Sequence, residues 1–308
     1  MSLKDIKTKI KSVDRTRKVT KAMETVSAVK MRKSQLRALS GRPYARATLS
    51  ILERLASSLS AVKHPLTIER PLKRVALVVI TSDKGLCGVL NSGVLKTCHH
   101  LEAEIVDFGI DKKHIDVFAF GRKSAEYYMR RGFSIKEQYV NVSDDVSIED
   151  LAALSKSLTS GFMVGAYDRV YVAYSNFRST FEQSPVVHQV LPLRFETVSS
   201  IVKGITPEKG AFAESETVTP PAFYTVEPSP EEILDAVLTR LTSVILYHAL
   251  LESKASEHSA RMVTMKNASD KSRDLSKALT RTYNKARQAM ITREVSEIVG
   301  GIEAMNVS

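Results

Sequence analysis

Mostly apolar side chains recur at alternating steps of four and three near the C-terminus of the chain. This spacing is the seam of a left-handed coiled coil, in which one stripe of a helix faces a partner helix. The same register then passes three serines, which predicts a weakly packed middle, before larger side chains return. In order, the seam positions are Val237, Leu241, Val244, His248, Leu251, Ala255, His258, Met262, Met265, Ser269, Ser272, Ser276, Leu279, Tyr283, Ala286 and Met290.

The boundaries of this C-terminal helix can also be predicted. Residues 231–299 contain neither Gly nor Pro, and a helix of that length rises roughly 100 Å, several times the diameter of a small domain. Ser229, Pro230 and Glu232 supply a capping side chain, a preset first-turn residue and the acid of a capping box. Gly300 and Gly301 are expected to loosen the other end.

The first forty residues predict a second long helix, because they too lack Gly and Pro. Short connections to one inserted segment favour an antiparallel pair of terminal helices. Gly41 and Pro43 predict a kink, after which leucines carry the pattern to Val62. The predicted stripe of this helix consists of Leu3, Ile6, Ile10 and Val13, and resumes after a polar run with Ala22, Val26, Val29 and Leu36.

Between the helices the pattern changes to short apolar runs. Residues 74–80 (RVALVVI) are typical of a fully buried strand in a parallel sheet. Further strands are predicted at 115–120, 133–140, 169–175 and 186–192, with helices near Asn91, at 122–131 and at 147–162. The predicted fold class is α/β: a long antiparallel coiled coil with an inserted Rossmann-like α/β domain. The predicted divisions are a helix over 1–62, an α/β domain over 73–195, a connecting loop over 196–228 and a helix over 229–305.

Charge is concentrated at the N-terminus. The chain has 308 residues and a net charge of +11, and its first sixty residues hold fifteen Lys or Arg against four Asp or Glu. Such a basic helix suits nucleic acid, anionic lipid or an acidic protein surface, or it is a solvated face. No aromatic residue precedes Tyr44, which disfavours stacking on single-stranded nucleic acid.

Composition predicts a soluble, cytosolic chain, because its apolar runs are too short to cross a bilayer and no apolar signal segment opens it. The two cysteines, Cys87 and Cys98, indicate free thiols in a reducing compartment rather than a disulfide framework or a zinc site.

The loop over residues 81–88 (TSDKGLCG) follows the first strand, where a doubly wound sheet would bind a nucleotide. It matches neither the dinucleotide fingerprint nor the P-loop, and the histidines have no metal-ligand spacing. No catalytic, cofactor or metal residues are therefore predicted. Two alternatives stay open at this point: a nucleic-acid-associated structural protein and an oxidoreductase or other nucleotide-dependent enzyme.

Six short segments resemble those of the F-type ATP synthase gamma subunit in order and spacing. They are VTKAME at 19–24, SDKGLCG at 82–88, EHSARM at 257–262, YNKARQA at 283–289, ITRE at 291–294 and EIVGG at 297–301. The resemblance covers the whole chain. It departs from the family at residues 301–305 (GIEAM), which replace a smaller, Ala-rich tail, and in lacking the cysteine-bearing insert of chloroplast relatives.

The resemblance implies a rotary shaft rather than an enzyme. It would stand inside a hexamer of alternating alpha and beta subunits, with its α/β domain on the membrane c-ring beside the epsilon subunit. ATP and ADP would bind elsewhere, and neither nucleic acid nor a cofactor would be a partner. The expected location is peripheral, on the cytoplasmic face of a bacterial cell membrane, with protons or sodium as the coupling ion.

The resemblance also implies roles for individual residues. Arg287 and Gln288 correspond to a polar catch for a beta-subunit loop, and Thr292 and Glu297 to positions tied to coupling efficiency. A neck region facing an acidic beta lever would contain Lys21, Met23, Lys30, Arg32 and Lys33, with Lys84 and Cys87 nearby across the fold.

Overall fold

The computed structural model describes residues 2–40, 64–194 and 230–306. The predicted kink at Gly41 and Pro43 and the predicted connecting loop over 196–228 lie outside the described residues. The chain divides into two compact units, one formed by Met1–Ser27 with Met262–Ser308 and the other by Ala28–Arg261. The four-segment division drawn from the sequence stays a prediction.

A five-stranded sheet forms the centre of the unit Ala28–Arg261. Its strands lie in the order β3-β2-β1-β4-β5. β1 is buried at every residue and pairs in parallel with β2 and β4, β3 pairs in parallel with β2, and β5 is antiparallel to β4. The strands are β1 Val75–Ile80, β2 Ile115–Phe120, β3 Ser134–Tyr139, β4 Arg169–Phe177 and β5 Gln183–Leu191. The predicted parallel sheet is confirmed.

Helices cover both faces of the sheet, because successive side chains of a strand point to opposite faces. The helices of the chain are α1 Leu3–Ser40, α2 Leu90–Asp107, α3 Arg122–Arg130, α4 Ala152–Met163 and α5 Pro230–Asn306, with one-turn 3-10 helices at Pro65–Thr67, Lys112–His114 and Glu149–Leu151; those that pack on the sheet are α2 and α3 on one face and α4 and part of α5 on the other. Val75, Leu77 and Val79 pack in one cluster with α2 and α3. Ala76 and Val78 pack in the other with α4 and α5.

Helix α5 begins at Pro230, as predicted, and has 77 residues. Its residues 241–246 and 248–256 are buried without interruption, because Leu241, Ile245 and Leu250 belong to the core under the sheet. A single seam stripe was therefore too narrow a prediction for this stretch. Gly300 and Gly301 do not end the helix, which continues to Asn306, and their predicted loosening of this end stays a prediction. Two glycines each cost about 1 kcal/mol of helix propensity, which flanking helix formers offset.

Helix α1 keeps one register from end to end. Its most protected positions alternate by three and four: Leu3, Ile6, Ile10, Val13, Arg17, Thr20, Glu24, Ser27, Met31 and Ser34. The predicted second stripe is wrong, because Ala22, Val26, Val29 and Leu36 are exposed. The register that begins with Leu3, Ile6, Ile10 and Val13 is continued by small polar side chains such as Thr20, Ser27 and Ser34, and not by the apolar side chains beside them.

In the unit formed by Met1–Ser27 and Met262–Ser308, α1 and α5 contact each other. The hydroxyl of Ser276 donates to Asp14 Oδ1 at 3.0 Å. Seam positions of α5 are at least half-buried as far as Ala286, whereas Met290 is exposed. Long terminal helices with an inserted, mainly parallel α/β domain confirm the predicted fold class. Across the three described ranges, no helix combines the length and hydropathy that a membrane span requires.

Candidate functional site at the carboxyl edge of the sheet

The loop after β1 is closed by its own polar side chains. The backbone N–H of Ser82 donates to Asn91 Oδ1 at 3.0 Å, and Asn91 Nδ2 donates back to Ser82 Oγ at 2.7 Å. The hydroxyl of Ser82 in turn donates to the carbonyl of Lys84 at 2.6 Å. These contacts hold the backbone carbonyls of the loop in a fixed position at the carboxyl edge of the sheet.

Two further residues join this loop to neighbouring elements. Asp83 accepts from the backbone N–H of Arg122 at 3.0 Å and of Asn141 at 2.9 Å, so one carboxylate links the β1, β2 and β3 loops. Gly121 has a φ of +86°, and a Cβ there would lie 2.2 Å from the carbonyl oxygen of Thr81. Only glycine fits this close approach of the loops.

Helix α5 reaches the same edge with Arg261. The guanidinium donates to the carbonyls of Lys84 at 3.2 Å and Gly85 at 3.4 Å, and pairs with Glu257 at 2.7 Å. A doubly wound sheet binds a ligand's phosphate at this crevice through backbone N–H groups. Here the loop instead presents carbonyls to a side chain of its own chain, which is an arrangement suited to joining the helix to the sheet.

The hairpin between β4 and β5 is held by the same stretch of α5. Ser256 Oγ donates to the carbonyl of Ser175 at 2.9 Å, and Ser259 Oγ to that of Thr180 at 2.7 Å. In the opposite direction, the N–H of Phe177 donates to Glu252 Oε2 at 2.8 Å. Donors and acceptors therefore run both ways between this helix and the hairpin.

A third loop, residues 142–145 after β3, also contacts α5. Lys254 Nζ donates to the carbonyl of Val142 at 2.8 Å and lies 3.4 Å from Asp144 Oδ1. His258 Nε2 is 3.0 Å from the same oxygen, and Lys30 of α1 lies 2.8 Å from Asp144 Oδ2. The hydrogen bond with His258, together with the lysines, holds the pKa of Asp144 well below its usual range despite partial burial.

These contacts define a coupling segment, residues 252–261 of α5, whose polar side chains bind loops at the carboxyl ends of β1, β3 and β4. Sequence reasoning did not identify Asp144, Glu252, Lys254, Ser256 or Ser259. A signal existed in the run ESKASEHSAR, where eight polar residues interrupt a helix with apolar flanks. His258 was interpreted as a packing position; it is buried, and its ring also contacts Asp144.

The residues predicted for the basic neck occupy different environments. Lys30 and Lys33 pair with Asp144 and Asp145, each at 2.8 Å. Lys21 pairs with Glu24 of its own helix at 2.9 Å, and Arg32 is exposed. Three of the cations assigned to an acidic partner are thus bound to acids of this chain. Met23 is half-buried in α1.

The two candidates in the SDKGLCG segment, Lys84 and Cys87, also differ in their environments. The side chain of Lys84 is exposed and its carbonyl is the group that Arg261 binds. Cys87 is buried and accepts from Asn91 Nδ2 at 3.3 Å. Both cysteines are free, as predicted, and burial raises the pKa of Cys98 to about 12. Among the described residues, no three His, Cys, Asp or Glu side chains cluster as metal ligands would.

The C-terminal candidates share one feature, which is exposure. Arg287, Gln288, Thr292 and Glu297 are all exposed on α5. Glu297 accepts from Arg293 Nε at 2.8 Å, one turn earlier on the same helix. Their roles stay predictions.

Comparison with known proteins identifies the family. The ATP synthase family profile matches residues 2–305. An ATP synthase gamma chain from Ralstonia nicotianae is 39% identical over 98% of this chain and 99% of its own length. Another, from Cupriavidus necator, is 40% identical over the same shares. The chain belongs to the ATP synthase gamma-chain family. This confirms the predicted family and removes the two alternative classes.

Solved structures agree with that membership. The central stalk of the Tetrahymena thermophila mitochondrial ATP synthase is 26% identical, with a TM-score of 0.58 over 82% of this chain and 99% of that chain. The rotor of the Euglena gracilis enzyme, 15% identical, shares the fold with a TM-score of 0.63 over 94% and 98%. The gamma chain is therefore a non-catalytic central-stalk subunit of an F-type ATP synthase.

Proposed function

We propose that this gamma chain is the rotating shaft that couples ion flow through a membrane c-ring to ATP synthesis and hydrolysis on the beta subunits. Its partners are the hexamer of alpha and beta subunits, the epsilon subunit and the c-ring, and proton and sodium remain the two candidate coupling ions. The related Tetrahymena structure is described as central stalk with c-ring. The proposed location is peripheral, on the cytoplasmic face of a bacterial cell membrane.

The observation that carries this proposal is the coupling segment. A torque acting on the α/β domain has to reach a long helix without the helix turning against the sheet. Apolar packing alone is non-directional and permits sliding, whereas hydrogen bonds fix orientation. Side chains of residues 252–261 bind three separate loops through such bonds. Their spread around the helix suits a rigid attachment of residues 252–261 to the α/β domain.

The exposed residues of α5 are proposed as partner contacts. Arg287 carries a planar guanidinium that suits a carboxylate or a carbonyl pair, and Gln288 beside it both donates and accepts. Thr292 and Glu297 follow on the same exposed stretch. On α1, Lys21, Met23 and Arg32 are proposed for the acidic lever of beta, together with Lys30 and Lys33 once these leave their present partners. From the loop after β1, Lys84 is proposed as a partner contact, and the buried Cys87 is proposed to act by holding that loop.

Single-molecule rotation tests this function directly. Phe108, just beyond α2, is 78% exposed, while Cys87 and Cys98 are buried, so Phe108→Cys creates one selectively labelled thiol on the α/β domain. A bead attached there, on the chain assembled with alpha and beta subunits of its own source, is expected to turn in one direction when ATP is added. Assembled complexes that hydrolyse ATP while the bead stays fixed would contradict the proposal.

A further inference from the structure

The loop formed by residues 142–145 binds two helices by contacts of very different burial. Towards α5, its partners Lys254 and His258 have side chains only 10% and 6% exposed. Towards α1, its partners Lys30 and Lys33 are 49% and 55% exposed. Arg37 also contacts this side, pairing with the Asp145 carboxylate and donating to the Asp144 carbonyl. The contacts with α5 are thus buried, whereas those with α1 are partly exposed, Arg37 being 29% exposed.

The stretch of α1 that meets this loop has little apolar burial of its own. Ser34 is buried and Met31 is half-buried, whereas Val29 and Leu36 are 66% and 51% exposed. Hydrophobic burial is roughly proportional to the apolar area removed from water. Ion pairs with Asp144 and Asp145 therefore add to the packing of Met31 and Ser34 in holding residues 28–37 in place.

The two faces of the loop respond differently to solvent. Exposed ion pairs are weak, each shifting an equilibrium by about fivefold at most, and salt screens them. A buried pair is screened much less, and separating it would leave the buried ammonium of Lys254 without its carboxylate and the buried ring of His258 without its hydrogen-bond partner. The contact with α1 can therefore open under conditions in which the contact with α5 stays closed.

We propose that residues 142–145 form an electrostatic latch, in which Asp144 and Asp145 cover the basic face of α1 until an acidic polypeptide surface displaces them. The occupant is a carboxylate-bearing protein surface, because Lys30, Lys33 and Arg37 already bind carboxylates here. Exposed Val29 and Leu36 add apolar area to the same stretch. The latch stays attached to α5 throughout. The identity of the natural occupant rests on the partner contact proposed above.

The latch predicts that removing one of its two acids strengthens the binding of an acidic partner. The test uses the full chain with Asp145→Asn, because Asp145 is 55% exposed and its replacement leaves no buried group unpaired. Glu182→Gln is the matched control, since Glu182 is an acid of similar exposure that pairs with Arg178 in the β4–β5 hairpin. Asp145→Glu, which keeps the charge, is the rescue variant.

Two measurements test whether the latch opens. The first is amide hydrogen exchange of residues 28–37 and 252–261 while salt rises from about 0.05 M to about 0.5 M. The second is binding of a labelled oligoglutamate peptide, with an oligoserine peptide of equal length as the neutral control. In Asp145→Asn we expect faster exchange over 28–37 and roughly two- to fivefold tighter oligoglutamate binding at low salt. Wild-type behaviour is expected for Glu182→Gln and Asp145→Glu.

Unchanged or weaker oligoglutamate binding by Asp145→Asn would overturn the latch, and so would exchange that rises equally in residues 28–37 and 252–261. Both results come from the isolated chain. Rotation of the bead in the assembled complex is a separate measurement, so failure of the latch and failure of the proposed shaft function give different patterns.

Discussion

Two stretches of the same helix, residues 238–261 and 287–302 of α5, differ in burial far more than in type of residue. In the first stretch, polar Thr242 and Ser256 are as buried as Leu241. In the second, Ile298 and Ile302 are 62% and 55% exposed. An apolar side chain is covered only where another element lies beside it, and the sheet provides that cover for the first stretch. The second presents an apolar stripe of the kind that marks a partner surface.

The comparison is tested most strongly by one truncation in each stretch. Leu241 is fully buried in the core cluster, so Leu241→Ala is expected to lower the free energy of unfolding by about 4 kcal/mol. Ile298→Ala removes apolar atoms from an exposed site and is expected to change the free energy of unfolding by less than about 0.5 kcal/mol. Urea denaturation of the isolated chain measures both. Equal effects would mean that the two stretches are not distinguished by burial.

Ion pairs sharpen the same contrast. Asp144→Ala removes the carboxylate from the buried ammonium of Lys254 and from the buried ring of His258, and we expect a loss of about 3 kcal/mol, the lower end of the range for buried pairs because Asp144 is partly exposed. Glu297→Ala breaks the exposed pair with Arg293, worth about 0.4 kcal/mol. Denaturation midpoints at low and high salt measure both losses, and salt should reduce the second by a larger fraction than the first, in which only the pair with Lys30 is exposed.

The pH dependence of the Asp144 contribution has a definite sign. Because the folded chain holds the pKa of Asp144 below its usual value of 3.8, the unfolded chain binds this proton more readily. The contribution is therefore complete above that value and declines as pH falls towards the folded pKa. The stability difference between wild type and Asp144→Asn should be constant from neutral pH to about pH 5 and shrink below about pH 4. A difference that grows on acidification would contradict this assignment.

Strands β1, β2 and β3 could be predicted from sequence to within one residue at each end, whereas β5 begins three residues before its predicted start and the buried face of α1 was not predicted. Ile115–Phe120 was located because an apolar run between turn residues is a local signal. In α1, Val26 and Val29 offered an equally apolar stripe, yet Thr20 and Ser27 are buried. Which stripe faces inward depends on the element beside it, and small polar residues allow that element to approach closely.

The coupling segment shows a second limit of prediction from sequence, because its contacts join residues that are far apart along the chain. His258 and Asp144 are 114 positions apart, and no short-range pattern connects them. The strand order β3-β2-β1-β4-β5 places the loop after β3 at the same edge as the loop after β1. The motifs SDKGLCG and EHSARM were noticed for their resemblance to a family, but the contact of Arg261 with Lys84 and Gly85 required the topology.

A smaller effect on local helix stability is expected at Gly300 and Gly301, at the end of the exposed stretch of α5. Gly300 and Gly301 lie inside α5, and a Cβ at either position meets nothing within 4 Å. Gly→Ala at each position is expected to stabilise the local helix by about 0.5–1 kcal/mol, because alanine loses less backbone entropy on folding. Slower amide exchange of residues 295–306 would measure this gain. Faster exchange in the alanine variants would show that the glycines fit a bend the helix needs.

The smallest expected effect on stability concerns Arg287 and Gln288. Both are exposed, so their replacement by Ala should change the free energy of unfolding of the isolated chain by less than about 0.5 kcal/mol. In the assembled complex the same variant should lower the ATPase rate per complex by roughly tenfold, since losing one or two hydrogen bonds to a beta subunit is worth about 1.4 kcal/mol.

Deletion of residues 301–308 is the matched counterpart of that double variant. It removes Ile302 from the exposed apolar stripe, and an apolar contact holds a turning tip without fixing its orientation, because such contacts are non-directional. The deletion should therefore weaken assembly, seen by gel filtration of reconstituted complexes, and leave turnover per assembled complex near wild type. The double alanine variant should do the reverse. If the deletion abolishes turnover in intact complexes while Arg287→Ala with Gln288→Ala behaves as wild type, the directional contact lies at the tip and not at Arg287 and Gln288.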